Sequence, residues 1–211
     1  IVAVLSLVDF QTPGKLWRYS KPDFAAHMAT IGITLLAGVE LGVIAGVGVG
    51  LLLYLWRASR PHAAIVGRVP ETEHFRNVLR HKVFTVPHVV SIRIDESLTY
   101  LNARWLEEYV LERVAERPEL RHVILMCSAV NEIDASGLES LEAINHRLVD
   151  GGIGLHLSEV KGPVMDRLQR THFLDELNGR VYLSQDRAFA ELVADDGKGE
   201  EPTPDMARGM I

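Results

Sequence analysis

The sequence predicts a membrane-embedded α-helical hairpin followed by an α/β domain with a mostly parallel central sheet and helical crossovers. Three observations lead to this fold class. Residues 24–57 are almost continuously apolar, residues 81–194 alternate strand-like and helix-like patterns, and residues 195–211 are polar and rich in glycine and proline. Strands that alternate with helices are typical of parallel sheets. The last of these segments is predicted to be a disordered tail.

The apolar segment is too long for one transmembrane helix. A continuous helix over residues 24–56 would reach about 50 Å, whereas a hydrocarbon core is about 30 Å thick. We therefore predict two helices with a break near residues 38–42. Basic residues flank the segment on both sides, namely Lys15, Arg18, Lys21, Arg57, Arg60 and Arg68. Because basic flanks favour the cytoplasmic side, we expect a hairpin in the plasma or inner membrane of the cell, with both flanks in the cytoplasm.

Four glycines, Gly38, Gly42, Gly46 and Gly50, recur at every fourth residue of this segment. The spacing places them on one helix face, where small residues let another helix approach closely. Glu40 lies at the predicted break. A carboxylate inside a membrane is a functional candidate, but one at a helix start also stabilises the exposed N–H groups there. We favour the second role, so Glu40 is a candidate structural site of the membrane part.

The segments on either side of the hairpin are less regular. The chain begins with an apolar run, without Met and without the basic region of a signal peptide. We therefore expect a fragment in which residues 1–23 are the end of a transmembrane helix and a cytoplasmic loop. Residues 58–80 are basic and polar and are predicted to be a linker.

The elements of the α/β domain, residues 81–194, follow from apolar spacing. Residues 89–94 alternate apolar and polar side chains and predict a strand, with which residues 82–86 are expected to pair. Residues 122–127 are continuously apolar, as in a strand that is covered on both faces. Periodicity and the positions of Gly and Pro predict the remaining elements, which are helices at 102–117, 138–150, from 163 and at 187–193, and strands at 153–157 and 181–183.

Composition narrows the class of function. The net charge of −6 argues against a nucleic-acid partner, because phosphate binding requires a concentrated basic face. The single cysteine, Cys127, cannot form an internal disulfide, and we expect a buried, unreactive thiol in an apolar strand. HExxH, GxSxG, Walker A and paired-cysteine patterns are absent, and the nine histidines are scattered. We therefore expect no enzyme activity, no catalytic residue, no metal and no cofactor.

A polar cluster, Asp134-Ala-Ser136-Gly137, separates a predicted strand from a predicted helix. Ser136 and Glu139 fit a capping box, and Asp134 could equally cap the helix. A nucleophilic serine would need a base and an oxyanion hole, for which the sequence has no candidate. A third interpretation is a switch, because phosphate on Ser136 would change the charge of a docking surface. Ser136 and Asp134 are therefore candidate regulatory residues.

Residues 123–141, VILMCSAVNEIDASGLESL, resemble the core of STAS domains, which occur in anti-sigma factor antagonists and at the C-termini of SulP-family transporters of sulfate and other inorganic anions. Residues 91–108, SIRIDESLTYLNARWLEE, resemble the transporter type, with Asn102 at the helix start. Residues 35–57, LLAGVELGVIAGVGVGLLLYLWR, are similar to the last transmembrane hairpin of SulP proteins, and residues 7–24, LVDFQTPGKLWRYSKPDF, resemble the preceding loop.

This resemblance implies secondary transport of an inorganic anion such as sulfate or bicarbonate by a membrane domain of inverted repeats. It further implies a homodimer in the lipid bilayer, with cytoplasmic termini. The substrate site of the family lies between earlier helices, so no residue of this chain is expected to bind the anion. In the antagonist branch, a partner kinase phosphorylates the Ser or Thr that matches Ser136.

Two hypotheses from different classes follow. In the first, the chain is the C-terminal part of an anion transporter, and its cytoplasmic STAS domain regulates transport and supports dimer contacts. In the second, the chain is a membrane-tethered signalling module of the antagonist type that acts only through protein binding at the STAS surface. The glycine row and the split hairpin favour the first.

Overall fold

A computed structural model describes residues 11–195, which form two compact units that meet in the chain between Ala58 and Ser59. The first unit is helical and the second is an α/β domain. The apolar start of the chain and the predicted disordered tail lie outside the described residues, apart from Asp195 at the end of the last helix.

The helical unit contains α1 (Gln11–Tyr19), α2 (Lys21–Ala37) and α3 (Val39–Ala58). Ser20 ends the first helix and caps the second, since its side chain accepts a hydrogen bond from the Asp23 N–H. Gly38 separates α2 from α3 with a φ of 94°, a conformation that favours glycine because a Cβ atom would be strained there. The predicted break of the apolar segment is thus confirmed at Gly38.

Glycines of α3 lie against threonines of α2. A Cβ atom on Gly42 would overlap Thr34 Oγ1, and one on Gly46 would lie 3.1 Å from Thr30 Oγ1. The threonine hydroxyls donate to carbonyls of the preceding turn, at 2.9 Å for Thr30 and 2.8 Å for Thr34. The two helices therefore pack closely through small residues and satisfied hydroxyls. Gly50 takes no part, since nothing within 4 Å faces it.

An ion pair joins the other end of the hairpin. Arg57, near the end of α3, donates to Asp23 Oδ1 in the first turn of α2 at 2.7 Å. The contacts at Gly42 and at Arg57 together define an antiparallel hairpin. By length and composition, α3 is the one helix within residues 11–195 that could cross a membrane.

The second unit contains a mixed six-stranded sheet of order β2-β1-β3-β4-β5-β6. β1 pairs antiparallel with both β2 and β3. The pairs β3–β4, β4–β5 and β5–β6 are parallel. The strands are β1 (Ala63–Arg68), β2 (Phe75–Asn77), β3 (Val89–Ile94), β4 (His122–Met126), β5 (Gly154–Ser158) and β6 (Val181–Tyr182).

The prediction of a linker over residues 58–80 is wrong, because β1 and β2 lie there. β1 pairs with β3 along its length, with Ile65 opposite Ile92, and buries Ala64 and Val66. The extended segment 82–86 was expected to pair with β3. It makes one bridge to that strand, between Val86 and Val89, and a second to β1, between Phe84 and Arg68.

Helices cover both faces of the sheet. They are α4 (Ala103–Ala115), α5 (Ala135–Asp150), α6 (Gly162–Leu168), α7 (Phe173–Glu176) and α8 (Gln185–Asp195). The larger apolar cluster joins Ile92 and Leu125 of the sheet to Leu106 of α4 and Leu141 of α5. The smaller cluster joins Ile124 of β4 to Phe189 and neighbouring residues of α8. The sheet is therefore a buried middle layer, as the continuously apolar β4 predicts.

Candidate functional site at the carboxyl edge of the sheet

The loops that follow β3, β4 and β5 lie at one edge of the sheet, because parallel strands end there together. We call residues 95–102, 127–134 and 159–161 the carboxyl edge. The first two loops are joined as a short parallel bridge between Leu98 and Ile133. Leu98 N–H donates to the Glu132 carbonyl at 2.9 Å, and Asp134 N–H donates to the Leu98 carbonyl at 3.0 Å.

Asp134 is the cap of α5. Its Oδ1 accepts from the Gly137 N–H at 2.8 Å, and its Oδ2 accepts from the Tyr100 N–H at 2.9 Å. One carboxylate thus satisfies a helix N-terminus and cross-links two loops. Of the two caps that the sequence allowed, the structure selects Asp134. The capping box on Ser136 is wrong, because Ser136 is already the second residue of the helix.

Gly137 allows the helix to approach the neighbouring loop. A Cβ atom at this position would lie 2.6 Å from the Leu98 carbonyl oxygen, a distance at which something must shift. The glycine of the polar cluster is therefore required by the contact between α5 and the loop after β3.

Asn102 shapes the loop after β3 from inside. This side chain is 3% exposed. Its Oδ1 accepts from the Thr99 N–H at 2.9 Å, and its Nδ2 donates to the Ser97 carbonyl at 2.9 Å. Ser97 Oγ in turn accepts from the Asn131 N–H of the next loop at 3.3 Å. Because the oxygen and the nitrogen of this buried amide both form hydrogen bonds to the loop, the amide fixes the conformation of the loop after β3.

The outer rim of the carboxyl edge is polar and accessible. Lys161 donates to Asn131 Oδ1 at 2.6 Å, and Arg167 donates to Glu132 Oε1 at 2.8 Å. Both contacts are exposed, so they add little stability but define the charge of the surface. The Tyr100 side chain is 68% exposed beside them, and Ser136 is half-buried. Within residues 11–195, no group of three His, Cys, Asp or Glu side chains could hold a metal ion.

The structure brings together two histidines that the sequence analysis treated as scattered. His122 Nδ1 and His156 Nε2 lie 3.1 Å apart on adjacent strands. The Arg180 N–H donates to His156 Nδ1 at 3.1 Å, so that nitrogen is an acceptor and Nε2 carries the proton. Burial, His122 and Arg180 together lower the pKa of His156 to about 4. The strand register explains this contact. Ile124 of β4 lies opposite His156 of β5, and His122 is two residues before Ile124 on the same face of the sheet.

A buried amide network under α8 was also missed. Gln185 Nε2 donates to Ser91 Oγ of β3 at 2.8 Å, and Gln185 Oε1 accepts from Ser158 Oγ of β5 at 2.6 Å. All three side chains are buried. The first residue of α8 is thereby bonded to both β3 and β5, and each of these buried polar side chains has a hydrogen-bond partner.

Cys127 and Glu40 complete the residues singled out from the sequence. Cys127 is buried, and burial, reinforced by the charge of Glu159, raises its thiol pKa to about 12. The predicted buried, unreactive thiol is confirmed, because the reactive species is the thiolate. Glu40 lies in the first turn of α3 and is exposed. The carboxyl edge and Glu40 belong to different units and are separate features.

A STAS domain profile matches residues 82–188. Among curated proteins, Sulfate transporter 1.3 of Arabidopsis thaliana is 31% identical over 195 residues, covering 87% of this chain and 30% of the relative. High affinity sulfate transporter 2 of Stylosanthes hamata is 28% identical over 202 residues, covering 90% of this chain and 30% of the relative. The chain thus spans about a third of the length of these relatives.

The fold of the chain is also found in a solved structure. The murine Solute Carrier 26 family member A9 (Slc26a9) anion transporter, in its inward-facing state, superposes with a TM-score of 0.77. The match covers 93% of this chain and 32% of the transporter, at 18% sequence identity. At this identity the likeness concerns the fold alone.

Proposed function

The chain belongs to the STAS domain family and is homologous to sulfate transporters, and from this membership we propose that it is the C-terminal part of a secondary active transporter for inorganic anions. Sulfate is the proposed substrate, and bicarbonate is the second candidate. The anion would bind to transmembrane helices that precede this chain. The STAS domain would lie in the cytoplasm, regulate transport and contribute contacts to a homodimer.

One observation carries this proposal. The similarity to sulfate transporters extends over 86–90% of the chain, through both the helical hairpin and the α/β domain. A signalling module would need a membrane tether, but not a tether that is similar to the corresponding part of sulfate transporters. The similarity of both hairpin and STAS domain to sulfate transporters therefore supports transport over the signalling hypothesis.

The charges of the hairpin support a cytoplasmic STAS domain. Lys15, Arg18, Lys21 and Arg57 lie at the open end of the hairpin, whereas residues 31–50 contain no Lys or Arg. Basic residues near membrane spans favour the cytoplasmic side. Since the α/β domain begins directly after α3, it would emerge on that side.

Ser136 and Asp134 form the proposed regulatory site. Ser136 is half-buried and lies two residues after the carboxylate that joins the loops of the carboxyl edge. Phosphate on Ser136 would place a second negative charge near Asp134 and weaken the bond between Asp134 and the Tyr100 N–H. Phosphorylation would thus change both the charge and the loop conformation of the carboxyl edge, and with them the binding of a protein partner to this surface.

Glu40 is proposed as a structural residue of the membrane part. Its position in the first turn of α3 places a negative charge near the positive end of the helix. We expect Glu40→Gln to leave transport intact and to lower only the stability of the hairpin.

Uptake by the protein encoded by the complete reading frame tests the proposed function. We would express it in cells that lack their own sulfate uptake and measure the entry of radiolabelled sulfate, with unlabelled sulfate and bicarbonate as competitors. We expect saturable uptake of sulfate. Correct membrane insertion without uptake of either anion would favour the signalling hypothesis.

The regulatory part has its own test. Ser136→Glu should change the binding of proteins captured on the STAS domain, while Ser136→Ala should leave transport largely intact. Binding that is identical for both variants would refute a switch at this serine. Loss of transport in correctly folded Ser136→Ala would refute a purely regulatory role.

A further inference from the structure

The open end of the helical hairpin, where α2 begins and α3 ends, carries a concentration of basic and aromatic side chains. We call this surface the collar, and it consists of Lys15, Trp17, Arg18, Tyr19, Lys21, Tyr54 and Trp56. Its aromatic rings are accessible, since Trp17 is 56% and Tyr19 is 90% exposed. Exposed aromatic rings next to basic groups are typical of segments at the level of lipid headgroups.

The Asp23 carboxylate, which lies close to the collar, is already neutralised by an ion pair. Asp23 is the one acidic residue between positions 11 and 37, and it pairs with Arg57 at 2.7 Å. Within the described part of the chain, no acidic side chain lies within ion-pair distance of Lys15, Arg18 or Lys21. The collar therefore retains its positive charge.

The local geometry arranges these charges around one indole ring. Trp17 packs edge-to-face on Phe24 with centroids 5.0 Å apart, which ties α1 to the first turn of α2. The Lys21 ammonium lies 6.0 Å from the centre of the Trp17 ring. Lys15 and Arg18 are three residues apart on α1 and hence neighbours on its surface. The positive groups and the ring thus form one continuous surface.

The opposite end of the hairpin has a different character. Gly38 forms the turn, Glu40 follows it, and residues 31–50 have no basic residue. From residue 38 to residue 57, α3 rises about 28 Å, close to the thickness of a hydrocarbon core. The collar and Glu40 would therefore face opposite headgroup layers.

We propose that the collar binds anionic phospholipids selectively over zwitterionic phospholipids in the leaflet at the open end of the hairpin. The proposal rests on the proposed function only in requiring that the hairpin spans a bilayer. An anionic headgroup offers a phosphate and a net negative charge to Lys15, Arg18 and Lys21. Each Lys or Arg near an anionic surface contributes about 1 kcal/mol, which is about a fivefold change in binding.

Fluorescence quenching of Trp17 tests the lipid preference. The variant Trp56→Phe/Trp105→Phe leaves Trp17 as the one tryptophan of the described residues. The full-length protein, with any tryptophan outside this chain also replaced by phenylalanine, is reconstituted into vesicles of phosphatidylcholine and phosphatidylglycerol. In one series the phosphatidylglycerol is brominated near its headgroup end, and in the other the phosphatidylcholine is. We expect the relative binding constant for phosphatidylglycerol to be at least about fivefold higher.

Neutralisation of the collar supplies the matched comparison. In Lys15→Gln/Arg18→Gln/Lys21→Gln the preference should fall to near unity. The control makes the same change of charge on the α/β domain, with Arg80→Gln/Arg104→Gln/Arg170→Gln, and should keep the preference. Raised salt should reduce the preference of the parent protein and leave that of the collar variant unchanged.

The outcomes separate this inference from the proposed function. Equal quenching by the two brominated lipids, or a preference that survives neutralisation of the collar, overturns the lipid inference and leaves the transporter proposal standing. Absence of quenching by either lipid means that Trp17 does not contact a bilayer, which likewise overturns the lipid inference and leaves the transporter proposal to its own uptake test.

Discussion

The two units of the chain place their apolar side chains in opposite ways. In the helical unit Gly42 is the one residue of α2 and α3 that is buried, and large side chains such as Leu35 and Leu36 are 80% and 92% exposed. In the α/β domain, Ile92 and Leu125 are fully buried between the sheet and its helices. The domain satisfies its apolar side chains by its own fold. The apolar side chains of the helical unit need an apolar environment outside the unit, such as lipid or other helices.

The contrast extends to the polar side chains. In the α/β domain, buried polar groups such as Gln185 and Asn102 bond across the fold to other strands and loops. In the hairpin, the hydroxyls of Thr30 and Thr34 bond to their own helix. Local satisfaction is what a segment in lipid requires, because no water is available there.

Leucine truncation should separate the two units most strongly. Leu125→Ala removes a fully buried side chain and should destabilise the α/β domain by about 2–5 kcal/mol. Its control, Leu36→Ala, lies on the exposed surface of α2 and should change the stability by less than about 0.5 kcal/mol. Urea unfolding of the reconstituted protein, followed through Trp105 fluorescence in a Trp17→Phe/Trp56→Phe background, measures the first effect. Unfolding of Leu125→Ala at the urea midpoint of the parent protein would contradict the buried position of Leu125.

Glycine replacement tests the tightest glycine contact between α2 and α3 within the described residues. Gly42→Val places side-chain atoms on Thr34 and should cost about 1–3 kcal/mol of hairpin stability. Gly50→Val is the control, because nothing lies within 4 Å of the added atom. Thermal denaturation in bilayer discs should show a lower midpoint for the first variant alone. Equal midpoints would mean that the two helices do not pack through Gly42.

Acid should weaken the α/β domain through His156. Its folded-state pKa of about 4 lies below the ordinary value of 6.5, so the unfolded chain binds the proton first as the pH falls. The contribution to stability is complete above pH 6.5 and is lost on going towards pH 4. Between pH 7 and pH 5 we expect a loss of about 2 kcal/mol.

The groups that face His156 determine the control for this pH dependence. His122, Arg180 and the Tyr182 ring surround the imidazole. His172 is exposed at the start of α7, and His172→Gln should leave the pH profile unchanged. Urea titrations at pH 7 and pH 5 measure the stability of the α/β domain. Equal stability of the parent protein at the two pH values would contradict a buried, neutral imidazole at His156.

The smallest predicted difference concerns the cap of α5. Asp134→Ala removes the acceptor for both the Gly137 N–H and the Tyr100 N–H and should cost about 1–2 kcal/mol. Ser136→Ala removes no hydrogen bond within the described part of the chain and should cost less than about 0.5 kcal/mol. Urea unfolding measures the stability of both variants. A greater loss of stability for Ser136→Ala than for Asp134→Ala would show that Ser136 caps the helix.

Local signals were sufficient for much of this fold. The break at Gly38 follows from the length of the apolar run, and β4 follows from its continuous apolar sequence. β1 was missed because Ala63–Arg68 contains Ala and Gly, which favour strands weakly, and lies among basic residues. Its strand conformation depends on pairing with β3, which is a long-range contact.

The candidate site was only partly accessible to sequence reasoning for the same reason. Asp134 and Ser136 are two residues apart, and either could cap a helix by type. The choice of Asp134 is favoured by the Tyr100 N–H, which comes from another loop. The contact of His122 with His156 and the bonds of Gln185 likewise depend on register and on the docking of α8. Contacts between residues that are distant in the chain produce no regular spacing in the sequence, so sequence patterns cannot predict them.

Sulfate accumulation in proteoliposomes tests the central claim most directly. The protein encoded by the complete reading frame is reconstituted, an ion gradient is imposed, and the internal concentration of labelled sulfate is followed. We expect the internal sulfate concentration to rise above the external concentration while the gradient lasts and to fall when the gradient is dissipated. Vesicles that contain folded protein and never accumulate sulfate or bicarbonate under any imposed gradient would contradict this expectation.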